Sequence, residues 1–103
     1  MNHRHTVFDS GGYFVAQEIR IARDPWSAVI TGGADGAKSV RITIACPSNL
    51  DILLELLRGV DRFTIIDRAM ADAQAEVGRF RLEMLRDDAR YTATCDTWDS
   101  GPV

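Results

Sequence analysis

Apolar and polar positions alternate with a period of two through the first half of the chain and shift to a longer spacing in the second. Val40, Ile42 and Ile44 fall on one parity, Arg41 and Thr43 on the other. Only a strand with one dry and one wet face sorts residues that way. Val15, Ile19 and Ile21 share a parity against Glu18 and Arg20, which predicts a strand over Tyr13 to Ala22; a helix through Val15, Ala16 and Ile19 is the alternative. Trp26 to Thr31 is rich in β-formers, and Thr6-Val7-Phe8 is a short β-like segment. Asp9-Ser10-Gly11-Gly12 and Asp24-Pro25 are turn chemistry. The Gly-rich loop from Thr31 to Ala37 joins its flanking strands into an antiparallel hairpin.

The second half reads as helical. Leu50, Ile52, Leu53, Leu54, Leu56 and Leu57 cover an arc of roughly 200° on helical geometry. Ser48 is placed to cap this helix with Asp51 completing a capping box, and Gly59 suits the position that ends it. Phe63 to Ile66 fits either a brief strand or the entry to a second helix, which then runs to about Asp88. That long helix would carry two apolar stripes. One is Ile66, Met70, Ala73, Val77, Phe80 and Met84; the other is Ala71, Ala75, Gly78, Leu82, Leu85 and Ala89. On the 3.6-residue repeat they lie about 140° apart. Gly78 would cost about 1 kcal/mol against alanine in a helix interior, a cost that close packing against another element explains. Either the first helix or a second chain must cover the second stripe. Tyr91 to Thr97 has strand propensity, and residues 1–5 and 99–103 read as flexible ends.

The expected fold is therefore α+β, an antiparallel sheet of three to five strands with two α-helices, both in the C-terminal half, packed on one face. At 103 residues, 46% apolar and 26% charged, the chain has the size and balance of one globular domain spanning 1–103. Its net charge of −3 is too small to imply nucleic-acid binding, and its positive charge comes from eleven arginines and the single Lys38. No apolar run approaches the ~20 residues of a membrane span, and no apolar segment follows the first residues. A soluble, cytoplasmic protein with reduced Cys46 and Cys95 is the expectation.

Candidate chemistry is thin. Gly32-Gly33-Ala34-Asp35-Gly36-Ala37-Lys38-Ser39 is one residue from a phosphate-binding loop, yet a strand follows it where a helix is required. Cys46, between a strand and a helix, is the one candidate nucleophile, and the only histidines, His3 and His5, lie far away in sequence. No cysteine or histidine spacing matches a zinc site, and no cofactor is implied. Arg68, Arg79, Arg86 and Arg90 are interrupted by Asp72, Glu76 and Glu83, which argues against a DNA-binding face. Trp98, in the tail, has the character of an interface anchor. These features point to a non-enzymatic protein–protein interaction module, an inhibitor or adaptor of phage or immunity type binding a larger complex, and a candidate homodimer. The partner-binding residues are then Ala71, Ala75, Gly78, Leu82, Leu85 and Trp98. The alternatives are a small enzyme using Cys46 and a domain that binds a small ligand or nucleic acid.

Overall fold

A computed structural model describes residues 3–9, 12–24, 26–67 and 79–103 of the chain. The described residues form eight strands: β1 His3–Phe8, β2 Phe14–Ala22, β3 Ser27–Ala34, β4 Val40–Ala45, β5 Arg62–Asp67, β6 Phe80–Arg86, β7 Ala89–Cys95 and β8 Thr97–Pro102. One helical segment interrupts them, α1 at Leu50–Leu53, continued by a 3-10 turn at Leu54–Leu57. The strands build two antiparallel four-stranded sheets, ordered β1-β5-β6-β7 and β2-β3-β4-β8. The chain changes sheet at Asp96, between β7 and β8.

The architecture is thus mostly β, and the expected α+β fold with two helices on one sheet is overturned. The core explains why. Ala28, Ile30, Ile42 and Ile44 of one sheet face Phe63, Ile65, Leu82, Met84, Ala93 and Cys95 of the other, all buried. Leu82 and Met84 belonged to two different helical stripes. Only a period of two puts both on one face, and β6 does so with Phe80 beside them. The predicted helical end at Asp87-Asp88 is a two-residue hairpin turn between Arg86 and Ala89, with φ of 47° and 70°. Positive φ at both positions matches the right-handed twist of the flanking strands. The part of the predicted long helix from residue 68 to 78 lies outside the described residues.

The first-half strands follow the alternation, with one break. The register of β2 on β3 shifts between Ala16, opposite Gly32, and Glu18, opposite Thr31, so Gln17 is an extra residue. The bulge moves Ile19, opposite the buried Ile30, onto the face of Ala16 and away from that of Val15. The backbones here are close: a Cβ on Gly32 would meet the Val15 carbonyl oxygen and sit 2.7 Å from the Ala16 Cα.

The first helix is shorter than its leucine content suggested. Ser48 does not cap it; its amide donates to the Thr94 carbonyl at 2.9 Å, and its hydroxyl accepts from the Thr94 amide at 3.2 Å. That docks the segment on β7. Asn49 takes the cap position at φ 54°. Leu53, Leu56 and Val60 plug the core, while Leu54 and Leu57 stay exposed. Gly59, at φ 103°, ends the segment as expected. The half-buried Arg86 ties this segment to the sheet. Its guanidinium donates to the Glu55 carboxylate at 2.6 Å, the Gly59 carbonyl at 3.2 Å and the Tyr91 hydroxyl at 3.0 Å.

Candidate functional site

One end of the sandwich carries, among the described residues, a small cavity with mainly apolar walls. Trp98 pairs with the inward-facing Ile44 and His5 with the inward-facing Ile65, so both side chains enter the space between the sheets. The Trp98 and His5 rings lie 4.8 Å apart, and Phe80 meets Trp98 edge-on at 6.4 Å. Together with Ile65, Arg4 and Asp67 they line a cavity of 170 Å³. At its rim Arg79 grips Asp67 with two hydrogen bonds of 2.8 Å and lies over the Phe80 ring at 5.1 Å. That bidentate pair raises the pKa of the Arg79 guanidinium further and neutralises the Asp67 charge.

The site is assembled by register. β1, β5, β6 and β8 each bring one or two residues to the same end, from chain positions 4 to 98. His5 reaches it because β1 runs antiparallel on β5, far from the loose tail the sequence suggested.

The predicted partner-binding residues part company here. Ala71, Ala75 and Gly78 lie outside the described residues. Leu82 is fully buried inside the sandwich, and Leu85 points to the opposite face of β6. Leu85 is half-buried and lines a hollow of 230 Å³ with Asp9, Asp61, Arg62 and Asp88. The continuous helical seam these residues were to form does not exist over β6. Trp98 alone of the described three opens onto the aromatic cavity. His5, Phe80, Arg4 and Asp67 were missed. Phe80 was assigned to a helical core stripe, and no local signal links the four.

Cys46 adopts φ 51° at the end of β4, and its amide donates to the Trp26 carbonyl at 2.8 Å. A hydrogen bond to Asp96 raises the pKa of its thiol, and burial adds to this. An activated nucleophile needs the reverse. Cys95 is buried, and desolvation pushes its thiol up to about 12. Both cysteines are free thiols.

The outer face of the second sheet forms a broader, polar hollow of 560 Å³ over Glu18, Arg20, Val29, Thr31, Arg41, Thr43 and Asp99. Its Arg20–Glu18 ion pair, at 3.1 Å, is solvent-exposed and contributes little. Among the described residues, no three His, Cys, Asp or Glu side chains group as a metal site. No described helix is long and apolar enough to cross a membrane. Comparison with protein families, with curated proteins and with solved structures found no match.

Proposed function

We propose that the chain is a non-enzymatic protein–protein interaction module, an inhibitor or adaptor of phage or immunity type that acts in the cytoplasm on a larger protein complex. The observation that carries this reading is the aromatic cavity of Trp98, His5 and Phe80 at one end of the sandwich. Tryptophan in a partly desolvated pocket is the residue that most often dominates an interface. The rival reading, an enzyme built on Cys46, is disfavoured by the Asp96 hydrogen bond, which raises the pKa of the thiol where an activated nucleophile needs it lowered.

Affinity capture from cell extract on immobilised protein tests the proposal. The native chain retains a defined partner, and Trp98→Ala, checked for an unchanged cooperative melt, loses it. Equal retention by both proteins overturns the assignment of the cavity. Light scattering on the same samples reports whether the retained species is a second copy of the chain.

A further inference from the structure

We propose that two copies of the chain associate about a two-fold axis through the outer edge of β2, with Ile19 paired to the partner's Ile19 and Glu18 facing the partner's Arg20. This surface is separate from the Trp98 cavity and goes beyond the reading above.

Three observations select a second copy as the occupant. The first is backbone. The Cys46 amide donates to the Trp26 carbonyl at 2.8 Å, and in the β3–β4 register this turns the backbone groups of even-numbered β3 residues toward β4 and those of odd-numbered ones toward β2. Beyond the bulge, Thr31 and Val29 lie opposite Glu18 and Arg20. The N–H and C=O of Ile19 and Ile21 therefore point away from β3, to the edge of the sheet. Among the described residues these groups have no partner. Before the bulge the same edge already pairs, because Phe14 exchanges hydrogen bonds of 2.9 and 3.0 Å with Val60. The strands β3 and β4 stand between this edge and Trp98, so it lies across the sheet from the cavity and its Asp67–Arg79 rim.

The second is apolar exposure. Tyr13 precedes β2, Ile21 lies on it, and Leu54 and Leu57 belong to the 3-10 turn packed against it. These are four of the six large apolar side chains left exposed among the described residues, with Ile21 at 45% and Leu54 at 52%. Ile19 and Ile21 sit opposite the buried Ile30 and Ala28, on the inward face. Joining two β2 edges continues the dry face of one sheet into that of the other and covers this apolar strip.

The third is charge, and it fixes the register. Main-chain bonds between two antiparallel β2 edges form only where Ile19 or Ile21 meets an outward-turned residue of the other copy. An axis at Arg20 would set that guanidinium against its own copy. An axis at Ile19 lets Ile19 exchange two bonds with its copy and sets Glu18 opposite the partner's Arg20 twice. Those flanking pairs are of the non-hydrogen-bonded kind, with Cα atoms about 4.5 Å apart, so their side chains meet. Glu18 and Arg20 lie on the outer face, exposed, paired only to one another at 3.1 Å. One strand thus carries both halves of a self-complementary contact. In this register the partner's β2 ends opposite Ala16 and stops short of the Phe14–Val60 pair.

Sedimentation equilibrium from micromolar concentrations upward tests this on the native chain, on Glu18→Arg, on Arg20→Glu and on an equimolar mixture of the two variants, each checked for an unchanged melt. The native chain dimerises. Each variant alone opposes like charges at both flanking pairs and dimerises roughly tenfold or more weakly. The mixture restores opposite charges at both pairs and recovers the mass of a heterodimer, which no pairing within one chain produces. A native chain that stays monomeric, a dimer indifferent to both substitutions, or variants that fail to associate on mixing overturns the proposal. Each of those results leaves the Trp98 capture experiment untouched, since the two surfaces share no residue.

Discussion

Leu82→Ala and Leu85→Ala form the sharpest pair of perturbations in this chain. On a helical seam the two leucines would be equivalent, one turn apart, and their truncations would cost similar amounts. On β6 they face opposite ways. Leu82 is 0% exposed, centred between Ile65 on β5 and Ala93 on β7. Its truncation removes the transfer free energy of the lost methyl and methylene groups and leaves a cavity that packed neighbours cannot close, together roughly 3–4 kcal/mol. Leu85 is only half-buried at the rim of an open hollow, so its loss costs about 1 kcal/mol and leaves no sealed void. For a domain whose total stability falls within about 5–15 kcal/mol, the first change is large and the second modest. Urea unfolding followed by tryptophan fluorescence measures both, with the midpoint shift read at constant slope. The melt of Leu82→Ala should fall by on the order of 10–20 °C. Costs for the two variants within about 0.5 kcal/mol of one another would refute the strand assignment of residues 80–86 and the sandwich core built on it, since such a gap is within ordinary mutational scatter.

Further outcomes follow from the same geometry. Asp88→Gly relieves a non-glycine φ of 70° in the β6–β7 turn and should stabilise the protein by about 0.5–1 kcal/mol in thermal unfolding; at a helix position the same change would destabilise it. Gly32→Ala drives a Cβ into the backbone of Val15 and Ala16 at the β2 bulge, costing at least about 1–3 kcal/mol by denaturant titration; a neutral outcome would mean the two strands are not in this register. Of the two thiols, only Cys46 should react with a disulfide reagent in the native state, more slowly than a free cysteine at neutral pH. Asp96→Ala removes the acceptor that raises its pKa and should speed it. Cys95 is held protonated to about 12 against an ordinary 9.0, so the native state binds the extra proton. Its contribution to stability is complete below pH 9 and lost as pH rises toward 12, and Cys95→Ala should flatten that part of the alkaline stability profile.

How legible all this was depended on the range of the determinants. Val40, Ile42 and Ile44 wrote β4 plainly, because a strand with one dry face has a local signature. The Thr31–Ala37 loop wrote its hairpin for the same reason, and Gly59 marked the end of the helical segment. The bulge at Gln17 was hidden, since Val15 and Ile19 look like one face unless a residue is extra. The β6–β7 hairpin was misread because Phe80-Arg81-Leu82-Glu83-Met84-Leu85 satisfies both periods at once. Its arginines, glutamate and leucines are good helix formers, and Asp87-Asp88 lacks the glycine that usually announces a tight turn. What decided for strands was pairing with β5 and β7, a tertiary fact. The site was the least legible part. Trp98 could be singled out by type alone, but His5 and Phe80 become its neighbours only through the registers of β1 on β5 and β6 on β5.

That convergence is the claim on which the functional account stands, and ring-to-ring nuclear Overhauser contacts in solution test it most directly. The indole protons of Trp98 should show cross-peaks to the imidazole of His5, whose ring centre lies 4.8 Å away, and weaker ones to the ring of Phe80. A spectrum in which Trp98 sees neither ring, in a protein that otherwise melts cooperatively, would contradict the cavity and every binding property assigned to it.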